Sequence, residues 1–141
     1  MEILSFKGTD LEKLKKAMDV RIEVFMEEQG ISAEDEFDDR DPTSTYVLIE
    51  KDGKPLACGR VNYFSKTAYL GRIAVLKEQR KEGLGRIVIE KLIEISKENG
   101  AEEITLGAQL QAVGFYEKLG FEPYGDIYLD ASIEHINMKL L

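Results

Sequence analysis

Ile73-Ala-Val-Leu-Lys-Glu-Gln-Arg-Lys-Glu-Gly-Leu-Gly-Arg86 is the stretch of this sequence that decides the fold. Its first four residues are all apolar, which is typical of a strand buried on both faces. Two glycines then open a run over 83–97 in which apolar residues recur at spacings of three and four, and this period predicts a helix. The stretch therefore predicts a buried strand that leads through a glycine loop, residues 77–86, into a long helix.

The glycine loop has the properties of an anion site. The first N–H groups of a helix lack backbone partners and lie at the positive end of the helix dipole, so they favour phosphate. Gly83 and Gly85 allow the backbone to approach a ligand closely. The loop carries four basic residues and two acidic ones, a local charge of +2 in a chain of net charge −8. The loop predicts phosphate binding, and the alternative is that its glycines merely start the helix.

Two familiar phosphate loops are excluded by the residues around the glycines. No Gly-Lys-Ser/Thr is present, so the loop is not a Walker A site. After Gly85 the sequence continues Arg86-Ile-Val88, which lacks the third glycine of the dinucleotide-binding pattern.

Strands and helices alternate along the rest of the chain, with short connections. Alternating or continuously apolar runs predict strands, and runs of period 3.6 predict helices. In the first helix, the apolar face is predicted to contain Leu11, Leu14, Met18, Ile22 and Phe25. The pattern predicts one α/β (α+β) domain over residues 1–141, with strands near 3–6, 46–50, 56–63, 68–75, 103–106, 121–129 and 133–140 and helices near 10–29, 83–97 and 111–119.

An acidic loop, residues 31–44, is the longest segment without a regular pattern. Its core, Glu34-Asp-Glu-Phe-Asp-Asp-Arg-Asp41, has six acidic residues and one arginine. Such a charge run is most often a solvated surface, and this is the first interpretation. Long loops in compact domains are also often functional. If this loop covers an acceptor site, it would favour a cationic substrate.

Composition limits the possible functions and location. A pI near 4.8 argues against nucleic acid and against anionic membranes as partners. The single cysteine, Cys58, excludes an internal disulfide, and with the single histidine, His135, it leaves no Cys/His zinc site. Cys58 lies on an apolar strand and is predicted to be buried and unreactive. The absence of a signal peptide pattern or a long apolar run predicts a cytoplasmic protein.

Two blocks of the sequence resemble the GNAT superfamily of acetyl-CoA-dependent acyltransferases. Arg80-Lys-Glu-Gly-Leu-Gly85 matches the family signature Arg/Gln-x-x-Gly-x-Gly/Ala, and Phe115-Tyr-Glu-Lys-Leu-Gly-Phe121 resembles its second recurring block. The order of the elements also resembles this family over essentially the whole chain. The resemblance implies a GNAT fold, a mixed and mostly antiparallel central sheet of about seven strands flanked by about four helices.

Further segments are similar to one branch of small, single-domain bacterial GNAT proteins. These are Arg21-Ile-Glu-Val-Phe-Met-Glu-Glu-Gln29, the acidic loop, and Ile133-Glu-His135. That branch often has glycine just before the Ile-x-His sequence, where this chain has Ser132. This difference affects the turn before Ile133 and leaves the resemblance to the family unchanged.

The resemblance implies how the chain would hold acetyl-CoA, the acyl donor, with no metal. Backbone groups of Ile73, Ala74 and Val75 would bind pantetheine, and the Val75 N–H would polarise the thioester carbonyl. Tyr116 would act as general acid on the leaving thiolate, although a tyrosine packed in a helix is the alternative. The remaining residues of the implied donor site are Arg80, Lys81, Glu82, Gly83, Leu84, Gly85, Arg86, Gln109 and Phe115.

The general base is left open between two residues. Glu28 and Arg21 are seven residues apart on the first helix, so they could form a salt bridge that shapes a pocket, or Glu28 could bind or deprotonate an amine. Histidine is the side chain whose unperturbed pKa lies near neutrality, and His135 is either a polar residue at the pocket edge or a base. A water chain could replace both.

The predicted reaction is transfer of an acetyl group to a primary amine of a small molecule or peptide. A module that binds acyl-CoA without catalysis is the alternative. A homodimer is common among such folds, but no interface can be identified from this sequence.

Overall fold

The computed structural model describes all residues, 1–141, and contains one seven-stranded sheet. Its strand order is β1-β2-β3-β4-β5-β7-β6. Every neighbouring pair is antiparallel except β4 and β5, which are parallel. The strands are β1 (Glu2–Lys7), β2 (Thr45–Lys51), β3 (Lys54–Phe64), β4 (Thr67–Val75), β5 (Glu103–Gln109), β6 (Phe121–Asp130) and β7 (Ile133–Leu140). The predicted mixed, mostly antiparallel sheet of seven strands is therefore confirmed.

Four α-helices accompany the sheet, as expected. Asp10 caps the first, because its side chain accepts a hydrogen bond from the Lys13 N–H. This helix continues as a π-helix over Ile22–Glu28, and one predicted long helix thus has two geometries. The α-helices are α1 (Leu11–Arg21), α2 (Ala33–Glu36), α3 (Leu84–Glu98) and α4 (Val113–Glu117).

Two hydrophobic clusters flank the sheet. One contains the buried face of α3, with Leu84, Val88 and Leu92, as the period of that helix predicts. The other lies under α1 and includes Phe6, Tyr46 and the wholly buried Cys58. The prediction for Cys58 is confirmed, and burial raises the pKa of its thiol to about 12, which keeps it unreactive at neutral pH.

The predicted buried face of α1 is wrong in part. Leu11 is 73% exposed, while Ala17, Val20 and Arg21 are buried. The face of α1 that packs on the sheet is therefore rotated about the helix axis, relative to the predicted face that contains Leu11 and Met18. The buried arginine on that face, Arg21, breaks the apolar period. It can be buried because residues distant in the sequence neutralise its charge.

A cleft opens where β4 and β5 separate. Their parallel pairing covers only Thr67–Leu70 against Glu103–Leu106, although β4 runs on to Val75 and β5 to Gln109. The C-terminal part of β4 therefore splays away from β5. Since α3 starts just beyond the end of β4, the cleft also meets the glycine loop.

Candidate active site

A cavity of about 890 Å³ occupies the cleft between β4 and β5. Its walls come from the π-helix, the acidic loop, β3, β4, the glycine loop, β5, α4 and the β6–β7 hairpin. Glu82 is the one predicted site residue outside this cavity, and it lines a separate surface pocket near the β2–β3 turn. All the others line it: Glu28, Ile73, Ala74, Val75, Arg80, Lys81, Gly83, Leu84, Gly85, Arg86, Gln109, Phe115, Tyr116 and His135.

The glycine loop presents a row of free backbone donors to the cavity. Lys81 and Gly83 have positive φ angles of 75° and 78°, a conformation that suits glycine at the second position. Gly83 is the N-cap of α3, and no side chain caps the helix. Consequently the N–H groups from Lys81 to Arg86 have no partner in the protein. Alternating backbone conformations of this kind form concavities that bind anions.

Gly85 is needed for a close approach between the loop and α4. A Cβ at this position would lie 3.3 Å from Phe115 Cζ and 3.7 Å from Val75 Cγ2. The glycine thus lets the Phe115 ring pack beside the start of α3. This contact brings the two sequence blocks that resemble the GNAT family to one wall of the cavity.

The end of β4 directs backbone groups into the cleft. The Leu76 N–H donates to the Leu56 carbonyl on the β3 side. Because successive N–H groups of an extended strand point to opposite sides, the Val75 N–H points toward β5, where the pairing has already ended. This direction agrees with the donor role expected for Val75.

Arg80 and Glu28 form a two-pronged ion pair across the mouth of the cleft. Both guanidinium–carboxylate distances are 2.7 Å, and Arg80 Nε also donates to the Val75 carbonyl at 3.1 Å. The hydrogen bonds from Arg80 lower the pKa of Glu28, which makes that carboxylate a weaker base. The expected salt bridge between Glu28 and Arg21 is wrong, because Arg21 has other partners.

Tyr116 packs its ring between Phe115 and Phe121, with edge-to-face centroid distances of 5.0 and 5.9 Å. Its hydroxyl makes no hydrogen bond to the protein. Every fully buried side-chain polar atom of the chain does have such a partner, so the Tyr116 hydroxyl is not fully buried. The hydroxyl therefore faces the cavity. Burial raises the pKa of Tyr116 to about 12, so the phenol is protonated at neutral pH and can donate a proton.

His135 lies on β7 and lines the cavity with one ring nitrogen free. Its Nδ1 is 2.7 Å from the Ile133 carbonyl. A carbonyl only accepts, so the proton of the neutral ring is on Nδ1 and Nε2 carries a lone pair. The ring stacks on Tyr128 with a centroid distance of 5.7 Å, and His135 pairs with Gln109 across β5 and β7.

Gln109 forms part of a polar bridge over the cleft. Its Nε2 donates to Gln29 Oε1 at 2.9 Å, and its Oε1 accepts from Gln111. Gln109 thus ties β5 to the end of the π-helix. Its expected role toward the donor stays a prediction.

The interpretation of the acidic loop as solvated is wrong for its central residues. Glu36 and Asp41 are buried, and Arg21, which is fully buried, contacts both carboxylates at 2.6 Å. Arg60 contacts Asp41 at 2.6 Å and holds Asp38 through two hydrogen bonds. The hydrogen bonds from Arg60 lower the pKa of Asp38 to about 2. The loop contains two short helical segments, α2 and a 3₁₀ turn over Asp41–Thr43.

Three arginines that hold the acidic loop were not identified as site residues from the sequence. Arg21, Arg60 and Arg72 stand on α1, β3 and β4, and each contacts the loop from a different direction. Pairing with these arginines neutralises three of the six carboxylates of the loop, those of Glu36, Asp38 and Asp41. Two of them have a signal in the sequence, because Arg60 and Arg72 each interrupt a run of otherwise apolar residues. A charge buried in this way requires an ion partner.

None of the helices combines the length and the apolar character that a membrane-spanning helix requires.

Comparisons with known proteins agree with this geometry. The model of the GNAT acetyltransferase family matches residues 14–121. YjcF of Bacillus subtilis (strain 168), described as an uncharacterized N-acetyltransferase, is 38% identical over 128 residues, which cover 90% of this chain and 91% of that protein. YyaT of the same organism is 39% identical over 128 residues, 89% of this chain and 86% of that protein.

Solved structures give the same fold. Escherichia coli ElaA superposes with a TM-score of 0.91 at 26% identity, and all of both chains are covered. An acyl-CoA N-acyltransferase from Pseudomonas aeruginosa has a TM-score of 0.89 at 24% identity, again with full coverage of both chains. The chain belongs to the GNAT family of acetyltransferases.

Proposed function

We propose that residues 1–141 form one catalytic unit that transfers an acetyl group from acetyl-CoA to a primary amine. The proposal depends on one observation: the free N–H groups of the glycine loop and the free Tyr116 hydroxyl face the same cavity. A phosphate-containing donor bound by the loop would thus lie at the same site as a proton donor. The cytoplasmic location stays a prediction.

The donor half would be formed by backbone groups. The N–H groups from Lys81 to Arg86 would bind the pyrophosphate, and the start of the α3 dipole favours that charge. The Val75 N–H would donate to the thioester oxygen as negative charge develops there. Arg80 keeps its ion pair with Glu28, so it attracts the negative charge of the donor less strongly than an unpaired arginine would.

The chemical step would be a direct transfer. The amine nitrogen attacks the thioester carbonyl carbon, the new C–N bond forms, and the C–S bond breaks. The nitrogen loses one proton to a base, and the departing sulfur takes one from the Tyr116 hydroxyl. A phenol of pKa about 12 is a weak acid toward a free thiolate, but the apolar wall around Tyr116 also disfavours a bare thiolate and assists the transfer.

His135 is the better candidate for the base. Its Nε2 is free in the neutral ring, whereas both Glu28 oxygens accept hydrogen bonds from Arg80. A carboxylate whose pKa is lowered by an arginine accepts a proton less readily. We therefore assign Glu28 to positioning of Arg80, and His135 to proton removal from the amine, directly or through water.

The test is a panel of primary amines scored by release of the CoA thiol, with the parent and Tyr116→Phe. The substitution removes one hydroxyl that has no protein partner, so the fold and the affinity for acetyl-CoA should not change. We expect kcat to fall by about 10²-fold or more, the usual contribution of a positioned acid. His135→Gln, which keeps the size and removes the base, should also lower kcat.

Two results would contradict the proposal. Full turnover by Tyr116→Phe would exclude this hydroxyl as the acid. No turnover of any amine by a parent protein that binds acetyl-CoA would instead favour the non-catalytic acyl-CoA-binding module.

A further inference from the structure

Arg72 has a backbone conformation that is unusual for a long side chain. Its φ angle is 52°, in the left-handed region, and it lies where the register between β3 and β4 shifts. Non-glycine residues persist in this conformation only when their surroundings hold them there, and such residues cluster at functional sites. The following residue is Ile73, the first of the predicted donor-binding segment.

The guanidinium of Arg72 is directed at the acidic loop. Nε and Nη2 donate to the Glu36 carbonyl at 3.2 and 2.9 Å, and Nη2 also lies 3.4 Å from the Asp35 carbonyl. These two carbonyls end α2, where helical carbonyls have no partner within the helix. Contacts with the carboxylates of Glu36 and Asp38 are longer, at 3.4 and 3.5 Å.

Arg72 differs from the other two arginines of this network. Arg21 and Arg60 have side chains that are at most 5% exposed and make ion pairs of 2.6 Å, as structural groups do. The Arg72 side chain is 22% exposed. It lines the cavity, as Arg60 does, whereas Arg21 does not. Of the three, it alone stands on β4, directly before the backbone that faces the donor.

We propose that Arg72 is a positioning residue that fixes the acidic loop, as the acceptor wall, relative to the end of β4, as the donor wall. This inference rests on the proposed function and assigns a new residue to the same site. Its side chain holds the end of α2, and its backbone bends β4 at the point where Ile73–Val75 turn toward the cleft.

The geometry of acyl transfer explains why such a link matters. The amine nitrogen and the carbonyl carbon must approach to about 3–3.5 Å, and a misplacement of about 1 Å can lower the rate by about 10²-fold. Two walls joined through one residue cannot drift apart independently. Loss of the guanidinium leaves the Glu36 carbonyl still bonded to Arg21 at 2.8 Å, so the fold should survive.

The experiment compares the parent, Arg72→Met and the control Lys66→Met. Lys66 lies directly before the first residue of β4, and its side chain is 70% exposed and pairs only with Glu102. Its replacement therefore changes the charge without affecting the cavity. Hydrogen exchange over residues 33–41 should become about tenfold faster in Arg72→Met and stay unchanged in the control. The KM for a transferred amine should rise about fivefold or more, while the Kd for acetyl-CoA stays within twofold.

Arg72→Gly and Arg72→Ala separate the side chain from the backbone. Both lose the guanidinium, but only glycine adopts a positive φ without strain, so Arg72→Gly should melt at the higher temperature. If the side chain is the link, both show fast exchange in the loop and a raised amine KM. Arg72→Lys, which can reach one carbonyl, should recover part of the protection.

Unchanged exchange and an unchanged amine KM in Arg72→Met would overturn the proposal. So would an acetyl-CoA affinity that falls as much as that of the amine, because Arg72 would then act on the donor side. If the parent transfers acetyl to no amine, the proposed function fails, and the exchange rates alone decide whether Arg72 anchors the loop.

Discussion

Replacement of Arg21 by methionine should destabilise the protein strongly. Arg21 is fully buried and contacts Glu36 and Asp41, each at 2.6 Å. Methionine has a similar length and fills the space, so the main effect is the loss of a charge. Glu36 would then lose its shortest ion pair, and Asp41 would lose one of its two ion pairs of 2.6 Å.

The magnitude follows from the partners that remain. Breaking a buried ion pair from one side typically costs about 3–5 kcal/mol. Asp41 keeps Arg60 at 2.6 Å, and Glu36 keeps Arg72 at 3.4 Å. We therefore expect the lower end, a loss of about 3 kcal/mol, which corresponds to a fall in Tm of about 10 °C for a chain of this size.

The pH dependence of this loss has a definite sign. Burial raises the pKa of Glu36, and the hydrogen bond from Arg21 opposes that rise. In Arg21→Met the pKa of Glu36 rises further, so the folded state binds a proton more readily than the unfolded state. Lowering the pH then stabilises the variant relative to the parent. The difference in unfolding free energy should be largest near pH 8 and shrink toward pH 5.

Urea unfolding followed by circular dichroism at several pH values measures both effects. Arg40→Met is the matched control, because Arg40 is exposed and its side chain holds no ion pair, and it should change stability by less than about 0.5 kcal/mol. A variant at position 21 as stable as the parent, or a loss that grows as the pH falls, would refute the reasoning.

Two further predictions concern backbone and packing. Ser132 and Ala131 both have positive φ, 64° and 51°, in the β6–β7 turn, so Ser132→Gly should stabilise the protein by about 0.5–1 kcal/mol in a thermal melt; no gain would contradict this strain. A Cβ at Gly59 would lie 2.7 Å from both Ile73 Cδ1 and a Val88 methyl, so Gly59→Ala should cost about 1–3 kcal/mol. Gly71→Ala, which meets nothing within 4 Å, is the control, and equal losses would contradict the packing argument.

The donor half of the site could be predicted from sequence because its signal is local. A buried strand, two glycines and a helix start are adjacent along the chain, and the backbone supplies the ligands. The Asp52-Gly53 turn between β2 and β3 was predictable for the same reason, and both residues have the positive φ angles of a tight hairpin.

The acceptor side could not be predicted in this way because its contacts are distant along the chain. Arg21 meets Asp41 twenty residues away, and Arg72 meets Glu36 across 36 residues. The acidic run therefore gave no sign of its partners. The π-helix over Ile22–Glu28 added a second error: its wider turns rotate later residues, so a spacing of seven no longer brings Glu28 beside Arg21.

Titration calorimetry with acetyl-CoA tests the central claim most directly, that the free N–H groups of the glycine loop hold the donor. The proteins are the parent, Gly83→Asn and Gly83→Asp. Asparagine and aspartate both tolerate the left-handed conformation of Gly83 and have nearly the same shape, so the pair differs only in charge. A carboxylate about 6 Å from a pyrophosphate charge repels it by about 1–2 kcal/mol at intermediate dielectric.

The account predicts that the parent and Gly83→Asn bind acetyl-CoA with similar Kd, and that Gly83→Asp binds about tenfold more weakly or worse. Equal affinity of the two variants, or no binding by the parent, would contradict it.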